Sequence, residues 1–233
     1  MFYCDGAGWY SSAASVKAGL RSAGYRGKFE TFSWSAFLGP GPDHLITARN
    51  RSVAKRLSKR IEKARRKDFD SPIYVMGLSA GTAVVLSALE QLKVGIRVDH
   101  VVLLSPSVSA DHDLTQTMAH VKGRLYATSS PHDGILSTIV VNADGLPGPP
   151  AGISGFRLPG KVRRNPRAPY RRVVNLPWRP AYVTHDWCGG HTQVTHRNFI
   201  KAVIAPRIFG AGTHPLDRSI LDRVAAFIPG DAL

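Results

Sequence analysis

The residues with the clearest chemical meaning lie at 77–81, where the sequence reads G-L-S-A-G. Ser79 stands between two glycines, which leave room for a strand and a helix to approach each other closely. The apolar run 73–76 precedes this segment, and small residues at 80–83 follow it. A serine on such a tight strand-to-helix turn projects its hydroxyl from the sheet edge, as a nucleophile must. The Ala80 N–H would lie at the start of the helix, where it can stabilise an oxyanion.

In this strand–turn–helix context the segment resembles the nucleophile elbow of the α/β-hydrolase superfamily. The resemblance implies a three-layer αβα sandwich with a mostly parallel sheet of about six strands. It also implies the chain order serine, acid, histidine, with each residue at the carboxyl end of a strand. We expect residues 1–233 to form one such domain, with the resemblance reaching to about residue 208. The chain begins in the strand that the family usually numbers third, so we expect either a minimal form without the first two strands or a start that is internal to a longer protein.

The family's acid follows the second strand after the elbow, and here that strand is 124–128. Asp133 comes next, in the sequence S-S-P-H-D-G, and is therefore the candidate acid that would hold the imidazole in one tautomer. Asp111 and Asp113 follow the preceding strand and are the substitutes, while Asp144 lies further along the chain. An aspartate before a glycine is also common in turns, and this is the structural alternative for Asp133.

The family's base comes late in the chain, in the loop between the last strand and the C-terminal helix. The sequence W-C-G-G-H-T at 187–192 precedes a helical pattern and makes His191 the candidate base. His185 comes before the Gly-Gly turn, and His196 would sit about one turn inside the following helix. Both histidines remain alternatives.

A second oxyanion donor comes, in this family, from the loop after an early strand. The sequence D-G-A-G-W at 5–9 occupies that place, with Asp5 where many members carry histidine. The backbone N–H of Ala7 is the first choice and that of Gly8 the second. The same glycines also mimic a dinucleotide-binding fingerprint, but Ser11 stands where the third glycine is needed. The sequence therefore predicts no nicotinamide or flavin cofactor.

Two cysteines lie on segments that the fold would bring to the same sheet edge. Cys4 ends the first strand, and Cys188 precedes His191 by three residues. We expect two small, buried thiols beneath the active site. The alternative is a redox-sensitive disulfide between the oxyanion loop and the histidine loop. The histidines show no ligand spacing with paired cysteines or carboxylates, so no metal site is predicted.

Short apolar runs alternate with helical patterns along the chain, which is typical of a parallel sheet covered by helices. The pattern predicts strands at 2–4, 28–34, 73–76, 98–104, 124–128 and 172–176. It predicts helices at 11–23, 47–67, 80–92, 194–208 and 216–227. Residues 142–169 are rich in glycine, proline and arginine, which indicates a long surface excursion rather than a second domain.

The chain is strongly basic, with 31 Lys+Arg against 16 Asp+Glu and a formal net charge of +15. The cations concentrate at 49–67 and 161–172. Such fields attract anionic membranes, acidic substrates or nucleic acid, but no nucleic-acid-binding motif accompanies them, and no specific nucleic acid partner is predicted. We expect the helix at 47–67 to be a surface helix whose apolar stripe faces the sheet. That stripe consists of Val53, Leu57, Ile61 and Ala64.

The sequence also bears on location. No apolar run approaches the roughly 20 residues needed to cross a bilayer, and the first residues lack the pattern of a signal peptide. With two cysteines and no signal, a cytoplasmic location is the expectation.

The predicted function is hydrolysis of a carboxylic ester through an acyl-enzyme, with a small-molecule ester as the substrate. An acyltransferase or thioesterase could use the same triad; product assays with and without alcohol or amine acceptors separate hydrolysis from transfer. A non-catalytic protein that binds nucleic acid or another anion is the third alternative. It would not react with a fluorophosphonate, and its affinity for nucleic acid would fall steeply with salt.

Overall fold

The computed structural model describes residues 1–6, 11–32, 47–138, 141–157 and 169–210. Six strands in these ranges form one parallel sheet, in the order β2–β1–β3–β4–β5–β6. This confirms the predicted α/β fold and the number of strands. The strands are β1 (Phe2–Cys4), β2 (Glu30–Phe32), β3 (Tyr74–Leu78), β4 (His100–Leu104), β5 (Leu125–Ser129) and β6 (Val173–Pro177).

The helices lie between the strands, as a parallel sheet requires. The predicted helix at 47–67 is present with those bounds, whereas the first and third helices are shorter than predicted. The helices before β6 are α1 (Ala13–Ser22), α2 (Thr47–Lys67), α3 (Gly81–Glu90), α4 (Thr115–Ala119) and α5 (Ala151–Ser154).

After β6, the helix predicted at 194–208 is present in part: it begins later, at Arg197, and is not α-helical throughout. The chain instead forms α6 (Arg197–Phe199), a π-helical segment Ile200–Ile204 and α7 (Ala205–Phe209). Pro206 has no N–H to complete the α-helical hydrogen-bonding pattern, which gives a physical reason for a change of helix type just before it. The predicted helix at 216–227 lies outside the described residues.

Both faces of the sheet are covered, which produces the three layers. In β1, Phe2 and Cys4 face the core beneath α2 and α3, whereas Tyr3 faces the core beneath α1 and the C-terminal helices. This alternation follows from the two-residue repeat of a strand. The inner strands β1, β3, β4 and β5 are buried on both sides and read as nearly continuous apolar runs, whereas the edge strands β2 and β6 are partly exposed.

Helix α2 packs its apolar stripe against this core, as predicted. Val53, Leu57 and Ile61 are buried, and Ala64 is partly buried against the same cluster. The lysines and arginines of the opposite face are exposed. They are Arg51, Lys55, Arg56, Lys59, Arg60, Lys63, Arg66 and Lys67. The burial of this stripe fixes the helix on the sheet and leaves its charged face in solvent.

One arginine of α2 is buried, which the sequence did not indicate. The Arg65 guanidinium donates hydrogen bonds to the carbonyls of Phe69 (2.6 Å), Ser71 (2.9 Å) and Arg97 (3.0 Å). It also forms an ion pair with Asp99 at 2.9 Å. Arg65 therefore joins the segment that enters β3 to the segment that enters β4.

The described part of the glycine- and proline-rich excursion, 142–157, packs against the loops that follow β4 and β5. Ala151 and Phe156 are buried in the core. A Cβ added to Gly152 would lie 2.8 Å from the Pro106 carbonyl oxygen, so only glycine allows this approach. The Gly152 carbonyl accepts a hydrogen bond from the Ser130 N–H at 2.8 Å. These contacts support the carboxyl edge of the sheet.

A second polar contact holds the excursion to the protein. His112 lies between two carboxylates, with Nδ1 2.8 Å from Asp144 and Nε2 3.2 Å from Glu90. Burial alone would lower the pKa of His112, but the hydrogen bonds and charges of Asp144 and Glu90 outweigh it and raise the pKa to about 9. The imidazolium therefore ties α3 to the loops at 112 and 144.

Because His112 is paired with Asp144 and Glu90, we expect the protein to lose stability at alkaline pH. Because the folded pKa of His112 lies above its ordinary value of 6.5, its contribution is complete below that pH and is lost as the pH rises to about 9. His112→Gln should flatten the pH dependence of the free energy of unfolding in this window, by up to ~1.4 kcal/mol per pH unit. Urea unfolding across the window measures the slope. His185→Gln is the control, and equal slopes in His112→Gln and the parent would contradict the prediction.

Candidate active site

Ser79 directly follows β3 and has φ = 51°, in the left-handed region that residues other than glycine seldom adopt. Its N–H donates to the Leu104 carbonyl in β4 at 2.9 Å, and its carbonyl accepts from the Thr82 N–H at 3.0 Å. These bonds hold the serine between two strands and the first turn of α3. The tight strand-to-helix turn anticipated at this serine is therefore present.

Close contacts between backbones surround this turn. A Cβ added to Gly81 would lie 2.7 Å from the Cys4 carbonyl oxygen and would also collide with that of Asp5. A Cβ on Gly77 would lie 2.9 Å from the Gly81 carbonyl oxygen. The start of α3 therefore packs directly against the ends of β1 and β3, and Ala80 precedes its first residue.

The loop after β1 begins beside the serine. A Cβ on Gly6 would lie 3.5 Å from the Ser79 Cβ. The Asp5 carboxylate accepts hydrogen bonds from the N–H groups of Gly6 (3.1 Å) and Ser12 (2.8 Å), so it ties both ends of this loop together. This role of Asp5 was not expected from the sequence. The predicted oxyanion donors Ala7 and Gly8 lie outside the described residues.

Asp133 and His191 form a buried pair. The Asp133 carboxylate is fully buried, and its Oδ2 lies 2.7 Å from Nδ1 of His191. Its Oδ1 accepts a hydrogen bond from the Leu136 N–H at 2.9 Å. With the proton on Nδ1, the imidazole keeps Nε2 as the atom that can accept a proton.

Strand register relates this pair to the serine. Ser79 follows β3 and Asp133 follows β5, and only β4 lies between those strands. Because parallel strands end at the same edge, both residues belong to the carboxyl edge of the sheet. Ser105, which directly follows β4, is also left-handed (φ = 40°) and buried.

Aromatic packing anchors the loop that carries His191. Trp187 is fully buried; its ring stacks on Tyr182 at 5.5 Å and meets Phe199 edge-on at 4.7 Å. Its Nε1 donates to the Gly190 carbonyl at 3.2 Å, and its own carbonyl accepts from Trp178 Nε1 at 3.0 Å. Trp187 belongs to the histidine motif, but its anchoring role was not expected from the sequence.

The acid loop and the histidine loop touch at Gly189. This glycine has φ = 98°, and an added Cβ would lie 2.9 Å from both His132 Cβ and Ser130 Oγ. Gly189 therefore sets the distance between the two loops, and so the length of the Asp133–His191 hydrogen bond.

The alternative acids have other partners. Asp111 pairs with Arg157 at 3.2 Å on the surface, and Asp144 pairs with His112. Asp113 accepts a hydrogen bond from the Tyr170 hydroxyl at 2.7 Å. Among these aspartates and Asp133, Asp133 alone has a recorded hydrogen bond to His191 in the described structure.

The alternative histidines also lie apart from Asp133. His196 pairs with Asp186 at 3.1 Å on the surface. It caps the N-terminus of α6, accepting from the Asn198 N–H, so its predicted place one turn inside a helix is wrong. His185 ends the 3₁₀ helix Pro180–His185.

The two cysteines are free thiols, and no disulfide joins them. Cys4 is fully buried, which raises the pKa of its thiol, whereas Cys188 is exposed. The expectation of a buried thiol thus holds for Cys4 and is wrong for Cys188. Cys4 faces the core beneath α2 and α3, and Trp187, next to Cys188, packs in the core on the other side of the sheet.

Within the described ranges, no group of three histidine, cysteine or carboxylate side chains is arranged to hold a metal ion. No helix in the same ranges has both the length and the apolar character needed to cross a membrane.

Comparison with known proteins identifies the family of this chain. The model of a family described as alpha/beta hydrolase of unknown function (DUF900) matches residues 21–144, a little more than half of the 233-residue chain. The chain belongs to this family. The match contains Ser79 and Asp133 and ends before His191. Membership in this α/β-hydrolase family agrees with the parallel six-stranded sheet and indicates a hydrolase. A search of curated proteins finds no match.

The contact at Gly189 yields a prediction for this hydrolase. Gly189→Ala should separate the acid and histidine loops and lower kcat by about a hundredfold, as a misplacement of roughly 1 Å does. Gly134→Ala is the matched control, because an added Cβ there meets nothing within 4 Å. Turnover of p-nitrophenyl esters measures the effect. Full activity in Gly189→Ala would show that the two loops need not touch.

The buried pair yields a second prediction. Asp133→Asn should lower kcat by roughly 10⁴-fold, because an amide favours the wrong imidazole tautomer. Asp111→Asn, on the surface, should retain most activity in the same ester assay. A severely impaired Asp113→Asn beside an active Asp133→Asn would reassign the acid.

Proposed function

We propose that this protein is a serine hydrolase that cleaves a carboxylic ester through an acyl-enzyme. Ser79 is the nucleophile, His191 the general base and Asp133 the acid that orients it. The Ala80 N–H is one oxyanion donor, and the N–H of Ala7 or Gly8 is the second. No cofactor takes part.

The observation that carries the proposal is the presence of a strained serine and a buried acid–base dyad at the same edge of the sheet. A left-handed serine costs of order 1–3 kcal/mol and persists only where its surroundings enforce it, often at functional sites. Here the Ser79 N–H is fixed by Leu104, and the glycine contacts of α3 enforce the turn. Asp133 leaves His191 Nε2 as the proton acceptor.

The reaction then has two halves. His191 Nε2 takes the hydroxyl proton as Ser79 attacks the ester carbonyl, and the oxyanion forms beside the N–H of Ala80. His191 gives that proton to the leaving alcohol, which departs and leaves an acyl group on Ser79. Water, deprotonated by the same imidazole, attacks the acyl-enzyme. The bond between the acyl carbon and Ser79 Oγ breaks, His191 returns the proton to Oγ, and the carboxylic acid leaves.

Ser79→Ala tests the proposal directly. The variant should no longer be labelled by a fluorophosphonate, and ester turnover should fall by several orders of magnitude, as it does when a triad nucleophile is removed. Ser87→Ala, in the same helix α3, is the matched control and should keep both properties. Labelling of folded Ser79→Ala at the parent rate would refute the assignment of the nucleophile.

The p-nitrophenyl esters that the parent protein hydrolyses then show which acyl chain lengths it accepts in a substrate. Esters of graded chain length, assayed with and without alcohol acceptors, report both the preferred acyl group and any transfer to the acceptor.

A further inference from the structure

Two apolar side chains stand in solvent at the edge of the sheet opposite to Ser79. Phe69 is 74% exposed and Val94 is 99% exposed, the highest values among the large hydrophobic residues of the described ranges. Phe69 lies in the segment that enters β3, and Val94 in the segment that enters β4. Single exposed apolar residues are ordinary, but two on adjacent segments form a feature that needs a reason.

Arg65 holds these two segments together. Its guanidinium donates to the carbonyl of Phe69 at 2.6 Å and to that of Arg97 at 3.0 Å. Both carbonyls are therefore within reach of one planar group, and the two segments are neighbours. The Asp99 carboxylate, 2.9 Å from the same guanidinium, balances the buried charge. This arrangement fixes the backbone at Phe69 and at Arg97, three residues after Val94.

Exposed cations surround the two apolar residues. The last turns of α2 contribute Lys63, Arg66 and Lys67, and the segment before β4 contributes Lys93 and Arg97. We call residues 63–70 together with 93–97 the tip surface. In the described structure, none of these cations except Arg66, which lies 3.5 Å from Glu62, is paired with a carboxylate.

The carboxylates near the tip surface offset only part of this charge. Asp68 and Asp70 flank Phe69. The Asp68 carboxylate accepts hydrogen bonds from the N–H groups of Asp70 (3.2 Å) and Ser71 (2.9 Å), so it is turned toward its own loop. Glu62 is buried, and Asp99 pairs with Arg65. Cations outnumber carboxylates on the exposed part of the surface.

We propose that the tip surface docks on an anionic lipid bilayer. Lipid headgroups supply the negative charge that the lysines and arginines attract, and the acyl region beneath them accepts Phe69 and Val94. A nucleic acid backbone would satisfy the cations but would offer an exposed valine no apolar contact. The stripe of α2 is buried in the protein core, so the helix itself does not insert and the contact is peripheral.

Topology separates this surface from the proposed active site. Phe69 and Val94 precede β3 and β4, whereas Ser79 and Ser105 follow the same strands. Docking at the amino edge therefore leaves the carboxyl edge free. The proposal is independent of the ester chemistry, and either can fail without the other.

Vesicle flotation of the whole protein tests docking. Phosphatidylcholine vesicles should bind it only when they also contain phosphatidylserine, and salt should weaken the binding. Lys63→Glu with Lys67→Glu should lower the affinity by well over the roughly fivefold that each lost cation accounts for. Phe69→Ser with Val94→Ser should lower it by about tenfold, since apolar area no longer leaves water.

Matched controls keep the test decisive. Leu146→Ser removes an apolar residue that is 42% exposed outside the tip surface, and Lys201→Glu reverses an exposed charge in the π-helical segment. Both should bind vesicles like the parent. The circular dichroism spectrum should be unchanged in every variant, which shows that each variant is folded. Binding that is unaffected by Phe69→Ser with Val94→Ser would overturn the proposal, as would affinity for duplex DNA without affinity for acidic vesicles, or no vesicle binding at all.

Discussion

The first turn of α3 lies against the end of β1, and most of the candidate site follows from that contact. Gly81 allows the approach because its Cα faces the carbonyl oxygens of Cys4 and Asp5, where any side chain would collide. With the helix fixed so close to the sheet, only Ser79 and Ala80 lie between the end of β3 and the start of α3. Ala80 already has helical backbone angles, so the change of direction falls on Ser79, whose backbone is left-handed. The same contact brings Gly6 beside the Ser79 Cβ, so the loop after β1 begins at the nucleophile.

Backbone hydrogen bonds to residues in β4 and α3 hold Ser79 in its strained conformation. Its N–H is held by the Leu104 carbonyl, and its carbonyl by Thr82. A second glycine contact works in the same way at the other end of the site, where Gly189 packs against Ser130 and His132. Buried Trp187 fixes the histidine loop on one side of this contact, and the Gly152 carbonyl holds Ser130 on the other. The short Asp133–His191 hydrogen bond is therefore set by the packing of two loops and not by the two side chains alone.

Local patterns in the sequence were enough to predict the sheet, the stripe of α2 and the tight turn at Ser79. Each of these depends on spacing within one segment: apolar runs for strands, a helical repeat at Val53, Leu57 and Ile61, and glycines around Ser79. What escaped prediction depends on segments that are distant along the chain. In the sequence, Arg65 cannot be distinguished from the surface cations of α2. The carbonyls that accept its hydrogen bonds come from two loops that only the folded sheet brings together. The role of Asp5 also appears only when Ser12, seven residues later, returns to its carboxylate.

The two edges of a parallel sheet differ electrostatically, and the charges of this chain follow that difference. Helices that come after strands begin at the carboxyl edge, where their N-terminal N–H groups favour negative charge and suit an oxyanion beside Ala80. At the amino edge, α2 ends, and its last carbonyls favour cations. Arg65, Arg66 and Lys67 occupy that last turn. Arg65 turns inward and bonds the loops, whereas Arg66 and Lys67 remain exposed. The helix dipole thus gives the cations of the last turn a favourable place in the folded protein whether or not a partner is bound. The proposed docking surface and the stability of α2 therefore depend on cations of the same turn: Arg65, which points inward, stabilises the fold, and Arg66 and Lys67, which point outward, belong to the proposed surface.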